Sequence, residues 1–235
     1  VKKYFLFSDV HAMYDKLMTA LLDAGFEIDN PNHIVVSLGD MLDRGDQGHE
    51  VILFLESMIK RERILGVIGN HDMFLLDLMH GDYQNTFFNI QYNGFDKTVD
   101  LVNKPEYYGI YNSANTFKEV AYEFDKRYYS YVRWLESLPH YLEFDNHVLV
   151  HGAINFYLND WRNTTKHFAV WSYQSRVVIP LYFEKTIIVG HEPTRRLFGN
   201  GNIDDIIQNK QLIMIDGGAP YGGKVNVLVF KENEL

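Results

Sequence analysis

The chain has 235 residues, a net charge of −9 and a sequence pI near 5.5. An acidic surface repels polyphosphate backbones, and no run of Lys and Arg offsets it, so a nucleic-acid partner is disfavoured. The absence of cysteine excludes disulfides, zinc–thiolate sites and thiol catalysis.

The first apolar run, residues 4–7, is four residues long, too short for a signal-peptide core or a membrane span. A cytoplasmic protein without a membrane partner is expected. Residues 4–8, YFLFS, read as a strand. Residues 13–25 read as a helix, with Met13, Leu17, Leu21 and Ala24 on one face and Gly25 as its stop. A second strand is expected at 34–38, IVVSL, and a helix near 48–60 with Val51, Phe54, Leu55 and Met58 on its apolar side. A third strand, LGVI at 65–68, precedes a helix opening at MFLLDLM, 73–79. Strand alternating with helix argues for a largely parallel sheet.

Residues 80–131 interrupt that rhythm and hold nine of the sixteen tyrosines. They read as a Tyr-rich helical insertion at about 83–131 in a single domain spanning 1–235, serving as a substrate cap or, more simply, as added aromatic packing. A helical pattern resumes near 115 and runs to about 137, where Pro139 ends it. The second half looks rich in hairpins: YLEF and HVLVH around Asp145-Asn146, then TIIVG, QLIMID and KVNVLVF, with glycine pairs at 217–218 and 222–223 as turns. No glycine cluster is followed by Lys-Ser or Lys-Thr, so no P-loop is present.

The chemistry is concentrated where these strands end. Asp9 and His11 follow the first, Asp40, Asp43 and Arg44 the second, and Asn70, His71 and Asp72 the third. His151 follows HVLV, and His191 follows TIIV. Singly, each has an ordinary explanation. Asp9 could cap a helix, Asp40 and Asp43 could form turns, and either His could be structural. Together they mark the carboxyl ends of the strands, where open α/β sheets bind ligands, while the opposite ends are expected to lack such residues. Oxygen and imidazole donors without sulfur suit Mn²⁺, Fe or Zn²⁺. Six donors exceed the need of one tetrahedral ion. They fit two ions if a carboxylate bridges, the arrangement that supplies a nucleophile and stabilises a leaving oxygen in attack on phosphorus.

The blocks SDVHA, GDMLDRG, GNHD, VHGA and VGH resemble, in order and spacing, the five signature blocks of calcineurin-like metallophosphoesterases. The branch most similar is the phosphoprotein-phosphatase type, with bacterial and phage Ser/Thr phosphatases and symmetrical diadenosine tetraphosphatases. The resemblance implies an α/β fold of two mixed β-sheets packed as a sandwich and flanked by helices. It implies one metal, Mn²⁺ by preference, on Asp9, His11 and Asp40, and a second on Asp40, Asn70, His151 and His191. It further implies that His71 is the general acid, kept protonated by Asp43, and that Arg44 and Asn70 contact the substrate phosphate. The substrate would be a phosphorylated protein or, as the alternative, a dinucleoside polyphosphate.

The chain departs from the family pattern in places. Ser8 and Ala12 stand where two glycines are usual, at expected small cost. Ile68 stands where the protein phosphatases usually carry a second phosphate-binding arginine, which Arg176, Arg195 or Arg196 could replace. A metal-free binding module would have lost a ligand, and none is missing. A nuclease would need a basic track.

Overall fold

The alternation of large apolar residues along β1 (Lys3–Phe7) sends Phe5 and Phe7 to one core and Leu6 to another. The computed structural model describes residues 1–102, 114–197 and 204–235. β1 pairs in parallel with β2 (His33–Ser37), which pairs in parallel with β3 (Ile64–Gly66). Helices α1 (Tyr14–Asp23) and α2 (Gly48–Lys60) make the crossovers. The last strand, β9 (Leu228–Lys231), returns antiparallel to β1, giving the order β3-β2-β1-β9.

The second sheet has the order β4-β5-β6-β8-β7. Its strands are β4 (Tyr141–Glu143), β5 (His147–Val150), β6 (Thr186–Val189), β7 (Ile207–Gln208) and β8 (Leu212–Met214). The inner residues of the two sheets share one core: Leu6 and Val36 from the first meet Leu149, Ile188 and Ile213 from the second. Their sequence neighbours Val148, Val150, Ile187 and Val189 face outward, against Ile154, Ala169 and Phe183. The outer face of the first sheet is covered by α1, α2 and α3 (Asn70–His80) together with α6 (Ala114–Arg127) and α7 (Tyr129–Ser137). The expected sandwich of two mixed sheets flanked by helices is therefore present. Burial of each large side chain in these cores contributes about 1.5–3 kcal/mol. Among the described residues no helix is long and apolar enough to cross a membrane.

Several local expectations are corrected. The second half is not mainly hairpins: in the second sheet β5, β6 and β8 pair in parallel, and β4 and β7 run antiparallel at its edges. A run such as LIM reads alike in either orientation, because the connection decides it. KVNVLVF forms a strand only over its end and joins the first sheet rather than pairing with β8. The helix expected at about 115–137 breaks at Tyr128, which is buried with its hydroxyl against His49 Nδ1 at 2.9 Å. The third helix starts at Asn70, before the apolar run, with Gly69 as its N-cap.

The Tyr-rich segment is helical where described, with α4 (Tyr83–Tyr92) and α5 (Asp96–Val99) ahead of α6. Tyr107, Tyr108 and Tyr111 lie outside the described residues. The opposite strand ends do carry histidines. His33 Nδ1 accepts from Glu27 N at 3.0 Å, and His147 Nδ1 lies 3.1 Å from Leu235 O, so both are tied structurally.

Candidate active site

All the parallel strands deliver their carboxyl ends to one place, and backbone hydrogen bonds lace the loops that leave them. Asp9 N donates to Gly39 O, His11 N to Asp40 O and Ala12 N to Met41 O, joining the β1 and β2 loops. The Asp72 carboxylate accepts from Gly69 N and Asp40 N at 2.9 Å and from Met41 N at 3.2 Å, tying the β2 loop to the start of α3. Gly39 has φ +94°, and a Cβ there or on Gly69 would overlap the facing loop. Two bonds cross between the sheets: His191 N to Asp9 Oδ2 at 2.8 Å, and His151 Nδ1 to Leu38 O at 2.7 Å.

This lacing forces an unusual backbone. Asp9, His11, Ala12, Asp40, Asp43, Arg44 and His191 all have φ between +47° and +72°. Glu62 is the one other non-glycine residue of this kind among the described residues. Such a conformation costs roughly 1–2 kcal/mol per residue and collects where function over-determines the chain. Ala12 is therefore not as cheap a replacement for glycine as expected. Ser8 is more than a small filler, because its hydroxyl donates to Asp9 Oδ2.

Asp9, His11, Asp40, Asp43, Asn70, His71 and His151 are all buried, and His191 is partly so. Asp40 lies at the centre. Its Oδ2 is 3.6 Å from His11 Nε2, and its Oδ1 is 3.5 Å from His151 Nε2. Asp9 Oδ1 is 3.9 Å from His11 Nε2, and Asn70 Oδ1 is 3.0 Å from His151 Nε2. Potential donor atoms of Asp40, His151 and His191 fall within 4.8 Å of one another, as do those of Asp40, His11 and His71.

The proton positions follow from the partners. A carbonyl only accepts, so His11 Nδ1–H donates to Leu42 O at 3.0 Å and His151 Nδ1–H to Leu38 O. His191 likewise bonds the backbone of Trp171. Each of the three thus turns an unprotonated Nε2 toward the centre, the orientation that metal-ligating histidines receive from their backing hydrogen bonds. Among the described residues, His191 Nε2 is buried without a hydrogen-bond partner. A divalent cation would satisfy these lone pairs, so the residues fit one.

Electrostatics agree. Burial, then Asp9 and Asp72, pushes Asp40 well above the usual carboxylate range. Burial, then Arg44, pushes His11 well down, and burial, then His151, lowers His191 to about 3. Carboxylates that resist ionising beside imidazoles that resist protonation describe a centre in need of positive charge from elsewhere.

His71 is backed differently. Its Nδ1 is 2.7 Å from Asp43 Oδ2, a carboxylate, while Arg44 Nη2 donates to its Nε2 at 2.7 Å. Arg44 also donates from Nη1 to His11 Nε2 at 2.9 Å. In this arrangement Asp43 faces an imidazole whose Nε2 lone pair is taken by Arg44. Burial, then His11 and Arg44, puts His71 well below its ordinary pKa, and burial raises Asp43. The imidazole is neutral, with its proton on Nδ1.

A cavity of about 140 Å³ opens over this centre. Its walls include Trp171, Tyr173, Tyr221 and Asn93, none of which the sequence reading singled out. Asp216 also lines it and is pushed up by burial and by Asp9; it ends β8 just as the other acids end their strands, so its signal was available. Of the three arginines considered as substitutes at the site, only Arg196 lines the cavity. Arg195 is tied to Asp204 and Tyr221 O, and Arg176 lies over the Tyr173 ring. Ile68 is buried in the helix-side core.

Comparison with known proteins agrees with this geometry. The calcineurin-like phosphoesterase family model matches residues 2–218. The asymmetrical bis(5'-nucleosyl)-tetraphosphatase PrpE of Halalkalibacterium halodurans is 26% identical over 265 residues, 99% of this chain and 92% of that protein. The symmetrical bis(5'-nucleosyl)-tetraphosphatase of Colwellia psychrerythraea is 30% identical over 77 residues, 33% of this chain and 26% of that one. Among solved structures, the cold-active protein-tyrosine phosphatase of a psychrophilic Shewanella superposes with a TM-score of 0.61 at 20% identity, covering 99% of this chain and 76% of that one. The chain belongs to the calcineurin-like phosphoesterase family and is a metal-dependent phosphoester hydrolase.

Proposed function

We propose that this single-domain enzyme, with 83–131 as its insertion, hydrolyses phosphomonoesters in the manner of the Ser/Thr protein phosphatases, using two divalent ions. In this reading Asp9, His11 and Asp40 hold one ion, and Asp40, Asn70, His151 and His191 hold the other. The observation that carries it is the placement of Asp40, whose two oxygens face His11 and His151 separately. When bound, the ions supply Lewis acidity toward the phosphate and an activated water. Mn²⁺ as the ion and the cytoplasm as the compartment belong to the same proposal.

The protein's own groups supply the rest. Arg44, and Arg196 across the cavity, are the cations available to non-bridging phosphate oxygens. An N–H of Arg44 cannot serve a phosphate and His71 Nε2 together, so substrate binding frees Nε2. The freed Nε2 can then take up a proton from solvent, and the imidazolium so formed gives that proton to the leaving oxygen. Of the four histidines it alone is backed by a carboxylate rather than a carbonyl, and Asp43 can stabilise the imidazolium. Asn70, at the first turn of α3, is a further phosphate contact.

A second reading, hydrolysis of dinucleoside polyphosphates, is favoured by the tetraphosphatase names of the curated relatives. The exposed rings of Trp171 and Tyr221 at the cavity offer stacking faces to a base. A panel with Mn²⁺ separates the two: phosphoserine and phosphothreonine peptides, p-nitrophenyl phosphate and diadenosine tetraphosphate. The first reading expects efficient release of phosphate from the peptides. Efficient cleavage of the tetraphosphate with negligible action on peptides overturns it in favour of the second, and the product pair tells symmetrical from asymmetrical cleavage.

A further inference from the structure

The pair formed by His71 and Asp43 has a third member, and it comes from the Tyr-rich segment. Thr98, in α5, donates its hydroxyl to Asp43 Oδ1 and accepts from Asp43 N at 3.1 Å. A hydroxyl has one proton and two lone pairs, so both bonds can hold at once. They divide the carboxylate: Oδ1 is engaged by Thr98, and Oδ2 is left for His71 Nδ1. Thr98 and Asp43 are 2% and 1% exposed, so no solvent can take over the hydroxyl's role.

The same stretch grips the next residue. Gly94 O accepts from Arg44 N at 3.0 Å, and a Cβ on Gly94, whose φ is +77°, would press on Arg44. Asp43 and Arg44 are both left-handed, at φ +72° and +64°, and Thr98 and Gly94 accept hydrogen bonds from their two backbone N–H groups. Asn93, next in sequence, lines the cavity itself. This part of the segment is therefore built into the catalytic centre rather than laid over it.

We propose that Thr98 is a positioning residue: it fixes the rotation of the Asp43 carboxylate and so aims the His71 imidazole at the leaving oxygen. The proposal rests on His71 being the acid. An imidazole hung on a carboxylate that can rotate would lose its aim without losing its chemistry, because His71 and Asp43 would both still be present. The loss should therefore be confined to substrates whose leaving group needs the proton.

The test compares wild type, Thr98→Val, Thr98→Ser and His71→Ala in the Mn²⁺-loaded enzyme, on p-nitrophenyl phosphate and on an alkyl phosphate monoester. Thr98→Val should lose about tenfold in kcat on the alkyl ester, the scale of one hydrogen bond to a charged group, and little on the nitrophenyl ester. Thr98→Ser should restore both. Mn²⁺ affinity should be the same in all the Thr98 variants. In addition, the Nδ1–H proton of His71 should give a far-downfield NMR signal in the metal-free protein, identified by its loss in His71→Ala. It should move in Thr98→Val and return in Thr98→Ser.

Thr98→Ala, which cannot clash, replaces Thr98→Val if the latter unfolds on heating below the assay temperature. Equal losses on both esters, or no loss on either, overturn the positioning role. If His71→Ala shows the leaving-group dependence and the Thr98 variants do not, the positioning role alone fails. If His71→Ala shows none, the acid assignment fails and the inference with it.

Discussion

The guanidinium of Arg44 donates to Nε2 of His11 at 2.9 Å, on the lone pair that the histidine would offer to a metal. Arg44 thus holds the imidazoles of His11 and His71, and in the proposed reaction it would bind phosphate instead. Removing it should separate metal binding from substrate binding. For Arg44→Gln, Mn²⁺ affinity by titration calorimetry should be unchanged or higher, because a competitor and a like charge are gone. kcat/KM on phosphomonoesters should fall by roughly 10- to 150-fold, the equivalent of about 1.5–3 kcal/mol for one charge-assisted hydrogen bond. Parallel loss of metal and activity would instead make Arg44 a structural strut.

Asp40 should trade stability for function. Its carboxyl is raised well above the usual range, by burial and then by Asp9 and Asp72. A carboxyl raised by folding binds its proton more tightly in the folded state than in the unfolded one. Its ionisation therefore weakens the metal-free fold, with no penalty below the unfolded pKa of about 3.9 and the full penalty once pH exceeds the folded value. Metal-free Asp40→Asn should thus melt above metal-free wild type at pH 8, and the gap should close toward pH 4. Added Mn²⁺ should raise the melting temperature of wild type and leave the variant unmoved and nearly inactive. A variant less stable than wild type at pH 8 would show that the carboxylate is compensated within the protein.

What the sequence made legible was local. Asp9, Asp40, Asn70, His151 and His191 could be found because each directly follows a β-branched or aromatic run, and strand ends in a parallel sheet converge. Pairing is not local, which is why KVNVLVF was placed with its sequence neighbour instead of with β1. Thr98 carried no signal at all, since a threonine 55 residues from Asp43 reads as any other until the fold brings the two together. The left-handed conformations of Ala12 and His191 were equally hidden, because nothing in those side chains announces a strained backbone. For His71 the sequence offered only the Asp43 partner; burial, His11 and Arg44, which all lower its pKa, come from the fold.

Ala12 and Glu62 allow the strain to be measured. Both have positive φ, +56° at the site and +55° at the turn after α2. Glycine relieves a left-handed conformation that costs a side-chain-bearing residue about 1–2 kcal/mol, less the extra entropy it brings to the unfolded chain. Ala12→Gly should therefore stabilise by about 0.5–1 kcal/mol in denaturant titrations, at unchanged m-value. Glu62→Gly should do likewise, since Glu62 has the same conformation and does not line the cavity. Destabilisation by Ala12→Gly would mean that the buried methyl group contributes more packing than the backbone costs.

Ile68 decides where a second phosphate cation can come from. The position is 1% exposed and belongs to the helix-side core, so an arginine there would bring a charge into apolar surroundings. Uncompensated buried charge costs about 3–5 kcal/mol, enough to outweigh any contact with substrate. Ile68→Arg should unfold easily and gain no phosphatase activity. The second cation at the cavity is Arg196, which lines it and lies 5.8 Å over the Tyr221 ring, with Arg44 5.4 Å over the same ring. Because Arg196 is exposed, its contribution is that of a screened surface pair. Arg196→Ala should lower kcat/KM on phosphopeptides by about two- to fivefold, and less at high salt. The effect on diadenosine tetraphosphate should be smaller if a monoester dianion is the natural ligand, because that dianion concentrates its charge on one phosphorus. Should Arg196→Ala leave phosphopeptide hydrolysis intact, the phosphomonoester reading would rest on Arg44 alone, and a substrate bound through its bases would become the better account.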